Sequence, residues 1–135
     1  MAIATELEDR WLLGLRDAAV ESALSEEFRL FVAFVGRAEL TIEGAATLGP
    51  TARSAERLDL WANPSATADS FSGLVGHTVL SAVAFKTGHL RIVFSPGIVL
   101  RVPADDRYEP WQFAFPSGHL LVSMPGGGLS TWSGS

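Results

Sequence analysis

Three histidines, His77, His89 and His119, are the side chains in this sequence best suited to hold a transition metal. A three-histidine zinc centre needs ligands that meet at one point, each ring fixed by a further hydrogen bond. His89 and His119 instead stand first after two matching turns, Lys86-Thr87-Gly88 and Pro116-Ser117-Gly118, and no ligand-spacing motif ties them to His77. They read as repeated surface positions, and no metal or other cofactor is expected. Asp105, Asp106 and Glu109 lie close together and carry the oxygen ligands that Mg²⁺ or Ca²⁺ prefers. An Asp-Asp pair after Val102-Pro103 is also ordinary turn chemistry, and the regular spacing of a calcium loop is missing, so a turn is the expected role.

A phosphate-cradling loop runs into Lys and then Ser or Thr and opens a helix, whereas Gly126-Gly127-Gly128 runs into the strand-like Leu129-Ser130-Thr131-Trp132. These glycines are expected to form a tight turn or bulge whose backbone a partner can approach. No Gly-x-Ser-x-Gly elbow occurs, and a chain without cysteine has no thiol nucleophile. No catalytic residue is assigned, and an enzyme is not the expected class. What remains is the aromatic set Tyr108, Trp111, Phe113 and Trp132, with Glu109 between the first two. Large aromatics usually fill cores, but Tyr and Trp are also the residues that recognition surfaces favour. The candidate partner-binding residues are therefore Tyr108, Glu109, Trp111, Gly126, Gly127 and Trp132.

The elements that must position them are read from hydrophobic periodicity. Phe28, Leu30, Val32 and Phe34 alternate with Arg29, Phe31, Ala33 and Val35, and after Gly36-Arg37 the alternation continues through Leu40 and Ile42. The pattern returns at Leu90, Ile92 and Phe94, then, after Ser95-Pro96-Gly97, at Leu100 and Val102. Leu30, Val32, Phe34, Leu40 and Ile42 each have their counterpart at one constant spacing, so residues 18–43 are read as a diverged, gap-free copy of residues 78–103. Ala84-Phe85-Lys86-Thr87-Gly88-His89-Leu90 is echoed by Ala114-Phe115-Pro116-Ser117-Gly118-His119-Leu120, and the glycine run separates the strands of a last hairpin. Thr5 with Glu8 forms a possible capping box for a short helix before Trp11. Thr67 to Gly76 carries the signals of a second short helix, and Arg57 to Trp61 those of an edge strand. The expected fold is mainly β: two duplicated antiparallel meanders packed as a sandwich or partly closed barrel, with one or two short helices.

A chain of 135 residues, 47% hydrophobic and 19% charged, suits one globular domain spanning 1–135. The acidic N-terminus does not match an export signal, and the longest apolar run, Leu30 to Val35, is far too short for a membrane helix. With no cysteine as well, a cytoplasmic protein is expected. A net charge of −5 without a Lys or Arg cluster argues against nucleic acid as a partner. Phe31, Ala33 and Val35 make one strand apolar on both faces. That predicts a cover, either the segment around Trp11 or a second copy of the chain.

Four segments carry a family resemblance: Leu-Val-Gly-His-Thr-Val at 74–79, Gly-His-Leu-Arg-Ile-Val-Phe at 88–94, Val-Pro-Ala-Asp-Asp-Arg-Tyr-Glu-Pro-Trp at 102–111, and Met-Pro-Gly-Gly-Gly-Leu-Ser-Thr-Trp at 124–132. In their order the chain resembles a family of small bacterial, mostly actinobacterial, proteins catalogued as domain of unknown function 6188. That resemblance implies no activity, substrate or cofactor. The residues themselves favour a non-enzymatic protein-interaction module of the regulatory or immunity kind. The partner would be another protein, or a second copy through the Phe31, Ala33, Val35 face, and neither nucleic acid nor membrane. The alternative is a small-molecule-binding protein or enzyme using a pocket at the barrel mouth.

Overall fold

The computed structural model describes residues 4–50, 55–60 and 62–132. The alternating segments become strands: β1 (Thr5–Glu6), β2 (Arg10–Leu12), β3 (Val20–Glu26), β4 (Arg29–Phe34), β5 (Glu39–Ile42), β6 (Ala46–Gly49) and β7 (Glu56–Leu58). After helix α1 (Pro64–Ser72) come β8 (Val79–Phe85), β9 (Leu90–Phe94), β10 (Ile98–Val102), β11 (Trp111–Ala114), β12 (Leu120–Ser123) and β13 (Leu129–Trp132). They form two antiparallel sheets, a seven-stranded one ordered β1-β2-β8-β9-β10-β6-β7 and a six-stranded one ordered β13-β12-β11-β5-β4-β3. The sheets stay separate, as a sandwich and not a closed barrel.

Because side chains alternate across a strand, Leu30, Val32, Phe34, Leu40 and Ile42 turn inward from one sheet and Leu90, Ile92, Phe94, Leu100 and Val102 from the other. All ten are buried. Each contributes about 1.5–3 kcal/mol of transfer free energy, so this double layer dominates the stability.

The meanders β3-β4-β5 and β8-β9-β10 share one register. Leu30 faces Ile42 and Val32 faces Leu40 in the first; Leu90 faces Val102 and Ile92 faces Leu100 in the second. Even the irregularity repeats, since the opening strand slips between Val20 and Ser22 in one and between Val79 and Ser81 in the other. The two opening strands meet where Ala19 bridges Thr78. Around that bridge Val20 N–H donates to His77 O and Val79 N–H to Ala18 O, while Val35 N–H donates to Ala19 O and Ser95 N–H to Thr78 O. Exchanging the meanders turns each bond into its mate, which is the pattern a twofold axis through the bridge produces.

Beyond its meander each half crosses to the opposite sheet. The β6-β7 hairpin leaves β5 to pair with β10, and the β11-β12 hairpin leaves β10 to pair with β5. Leu48 lies opposite Leu100 as Phe113 lies opposite Leu40. The segment before each half shields the other's opening strand: β2 pairs with β8, and α1 packs against β3. Both devices remove an exposed edge.

Four expectations are corrected. The alignment has a gap, because the β3-β4 turn holds Glu27 and Phe28 between paired Glu26 and Arg29. Its counterpart holds Lys86, Thr87 and Gly88 between Phe85 and His89, so a residue is added. The segment from Thr5 is a hairpin and not a helix: a cap is worth about 1 kcal/mol, less than pairing β2 onto the open edge of β8. The helix begins at Pro64, after Asn63, and ends at Ser72, ahead of the expected Thr67–Gly76 span, because proline is preorganised for the first helical turn. Trp11 does not cover Phe31; it sits in the other sheet, its ring 6.3 Å from that of Phe115. The edge strand expected over Arg57 to Trp61 is found at Glu56–Leu58, one residue earlier and ending before Asp59 and Leu60, while Trp61 lies outside the described residues.

Candidate functional site

The connection from β10 to β11, residues 103–110, is much longer than its counterpart from β5 to β6, which is only Glu43-Gly44-Ala45. Asp105 shapes it. One carboxylate oxygen, Oδ1, accepts from the backbone N–H of Arg107 at 2.8 Å and of Tyr108 at 3.1 Å, a local turn that competes well with strand formation. Pro110 O then accepts from the N–H groups of Glu43 and Gly44 at 2.8 and 3.0 Å. The approach is close enough that a Cβ on Gly44 would lie 2.6 Å from Pro110 Cβ.

The glycine turn docks on the same loop. Gly126 N–H donates to Asp105 O and Gly128 N–H to Thr87 O. Beneath them Trp111 Nε1 and Ser123 Oγ both donate to Gly88 O, at 2.9 and 2.8 Å. These buried donors satisfy a carbonyl that would otherwise be desolvated at a cost of about 1–3 kcal/mol.

Where this loop passes the β3-β4 turn and the end of β7, it bounds a cavity of about 320 Å³. Leu30, Ile42 and Leu58 supply apolar lining; Glu43, Arg57, Asp59 and Asp105 supply charge; Phe28 and Tyr108 stand as 49% and 67% exposed rings. Glu43 is bridged to Arg29 at 2.7 Å, and Asp59 Oδ1 accepts the Ala62 N–H. Among the described residues no histidine or lysine lines the cavity. The cleft is thus of mixed lining, an apolar floor with flanking aromatics and tethered carboxylates, large enough to hold a side chain or small group.

The structure divides the candidate residues. Tyr108 and Glu109 are exposed on the loop, and Gly126 and Gly127 join it through Asp105. Glu109 borders a recess of only about 20 Å³ with Thr41, Glu43, Trp111 and Gln112. Trp111 is core, 1% exposed. Trp132, 57% exposed, pairs with Leu120 at the other end of its hairpin from the glycine turn, on the same outer face as Ala33. His77 binds Ser95 O through Nδ1, while His89 and His119 are exposed on separate turns. Among the described residues no group of three or more His, Cys, Asp or Glu is placed to hold a metal, and no helix is long and apolar enough to cross a membrane.

Sequence reasoning missed a second constellation. Registers across the seven-stranded sheet place Leu12, Val83, Arg91, Arg101, Thr47 and Arg57 in one outward row. Arg91 lies directly opposite Arg101. None of the three arginines makes an ion pair with a described residue, and Arg91 Nε is buried with no hydrogen-bond partner. The Arg91 guanidinium does lie 5.5 Å from the Phe85 ring centroid, with that of Arg10 at 4.9 Å. Arg10, by contrast, grips the Asp9 carboxylate, and that hydrogen bond together with the cationic charge holds Asp9 below the usual carboxylate range. The alternation around Ser95-Pro96-Gly97 was signal enough to set Arg91 against Arg101; nothing in the linear order brings Arg57 beside them.

The chain belongs to a family of unknown function (DUF6188), whose model matches residues 11–133. No curated protein and no solved structure matches it.

Proposed function

We propose that this protein is a non-catalytic recognition module, of the regulatory or immunity kind, that grips a partner protein at the loop-bearing end of the sandwich. The observation that carries this reading is the cavity of about 320 Å³ with Phe28 and Tyr108 exposed at its border. Two exposed rings beside a cleft with an apolar floor and a charged rim offer large contact area with few rotors to freeze. Tyr108, Glu109, Gly126 and Gly127 form the contact edge, Trp111 supports it from the core, and Trp132 contributes to a separate patch. Selection of binders from a displayed peptide library tests the proposal. Selected peptides should lose at least 5-fold in affinity for both Tyr108→Ala and Phe28→Ala, with melting temperatures kept within a few degrees. Peptides that bind both variants as well as the parent refute it, and a small-molecule ligand that fills the cavity and displaces no peptide favours the small-molecule reading.

A second reading, assembly of two copies through Phe31, Ala33 and Val35, is favoured by Leu24, which faces Phe31 across the sheet and is 61% exposed. Light scattering that shows a dimer, broken by Phe31→Glu, supports it. We propose also that the chain is one domain descended from a duplicated half-length unit, residues 18–43 and 78–103 marking the two copies. The matched bulges and mirrored bridge bonds support that origin.

A further inference from the structure

We infer that the outer face of the seven-stranded sheet is a docking surface for an acidic, extended segment of a partner protein, held by Arg57, Arg91 and Arg101. The row stands on observations separate from the cavity, with Arg57 alone bordering both. Directly opposed residues on neighbouring strands sit about 5 Å apart at Cβ, and like charges so placed repel. In a chain with 15 acidic residues and a net charge of −5, all three arginines are nevertheless without a carboxylate partner among the described residues. Arg91 is held against Phe85 and keeps a buried Nε with no acceptor. A guanidinium fork steadied by a ring and not engaged by a described carboxylate is preorganised for bidentate capture of one from a partner.

The fold does not demand this charge. The corresponding row of the six-stranded sheet runs Leu24, Phe31, Thr41, Gln112 and Val122, with no charged member. Nucleic acid fits less well than an acidic peptide, because phosphate-driven affinity needs many basic contacts and this face mixes three arginines with apolar Leu12 and Val83. From β9 to β7 the row crosses three strand spacings, about 14 Å, which an extended segment of about five residues covers.

The test is fluorescence anisotropy with a labelled alternating Glu-Ala octapeptide, its Lys-Ala counterpart and an eight-nucleotide oligothymidine, at about 20 and about 300 mM salt. The Glu-Ala peptide should bind, weaken with salt, lose at least 10-fold in affinity for the Arg91→Gln, Arg101→Gln double variant, and bind Tyr108→Ala unchanged. That last arm separates this surface from the cavity: loss only in Tyr108→Ala overturns the present inference and leaves the cavity reading standing. Absent binding to the parent protein, equal binding to the double variant, or tighter binding of the oligothymidine each overturns it. The single variant Arg101→Thr, which installs the residue type of its counterpart Thr41, guards against misfolding of the double variant. If it lowers the melting temperature by more than a few degrees, the arginines serve the fold and the inference fails.

Discussion

The two outer faces of the sandwich are built on the same backbone plan and carry different chemistry. Position for position, Leu24 answers Val83, Phe31 answers Arg91, Thr41 answers Arg101, Gln112 answers Thr47 and Val122 answers Arg57. The inward rows, by contrast, differ only by apolar exchanges such as Val32 for Ile92 and Ile42 for Val102. Pairing geometry and core packing therefore tolerate either kind of outer row. What sits outside reports on what each face meets.

If the halves are energetically equivalent, Phe34→Ala and Phe94→Ala should each cost about 3–5 kcal/mol, and urea denaturation that shows one far cheaper than the other would break the equivalence at its centre. Two glycines at turns that are not counterparts, Gly36 between β4 and β5 and Gly88 between β8 and β9, sharpen the contrast between an open turn and a packed one. Both have φ of +106°, but a Cβ at Gly36 meets nothing within 4 Å while one at Gly88 meets Ala104 Cβ at 3.0 Å and Ser123 Oγ at 3.2 Å. Gly36→Ala should cost about 1–2 kcal/mol for the left-handed backbone alone, and Gly88→Ala about 2–4 once overpacking is added; equal losses would mean that the cluster of Ala104, Ser123 and Gly128 around Gly88 yields easily.

On the outer rows, Arg101→Thr should leave stability unchanged or raise it by about 0.2–1 kcal/mol, since it relieves repulsion with Arg91. A clear loss would show the arginines to be structural. The smallest effect concerns the arginine on that sheet that does hold a carboxylate. Asp9 should titrate below its ordinary range by NMR, and Arg10→Gln should return it. Because the folded value is the lower one, the pair stabilises above the unfolded carboxylate range and loses that contribution as the pH falls through the folded value. An Asp9 unmoved by Arg10→Gln would show the contact to be absent in solution.

Much of the sandwich was legible because alternation and turn residues are local signals. Leu30 through Ile42 and Leu90 through Val102 each state their strand, their inward face and their hairpin partner within a few residues. The helix expected at Thr5 shows the limit: a capping pattern is local too, but the open edge of β8 that captures Arg10–Leu12 lies far along the chain. The candidate site was legible only in part for the same reason. Tyr108 and the glycine turn meet through Asp105, whereas Trp111 and Trp132 look alike in sequence and end in the core and on an outer face. Whether a tryptophan is wall or surface is decided by pairing partners that composition does not name. The arginine row was invisible to charge counting, because register assembles it from one hairpin, β9-β10, and the distant strand β7.

The exchange of hairpins between sheets sets the order in which this chain can fold. β5 cannot gain its second neighbour until residues 111–114 exist, and β6 waits on β10 from the other half, so the first half cannot complete its sheets by local contacts. Many productive contacts span long stretches of chain, which raises the loop-closure entropy met before the rate-limiting barrier and slows the reaction. A ribosome delivering the first half alone would hold Leu30, Val32, Phe34 and Leu40 facing water until the second half emerged, so synthesis itself is the interval in which this molecule is most exposed to aggregation.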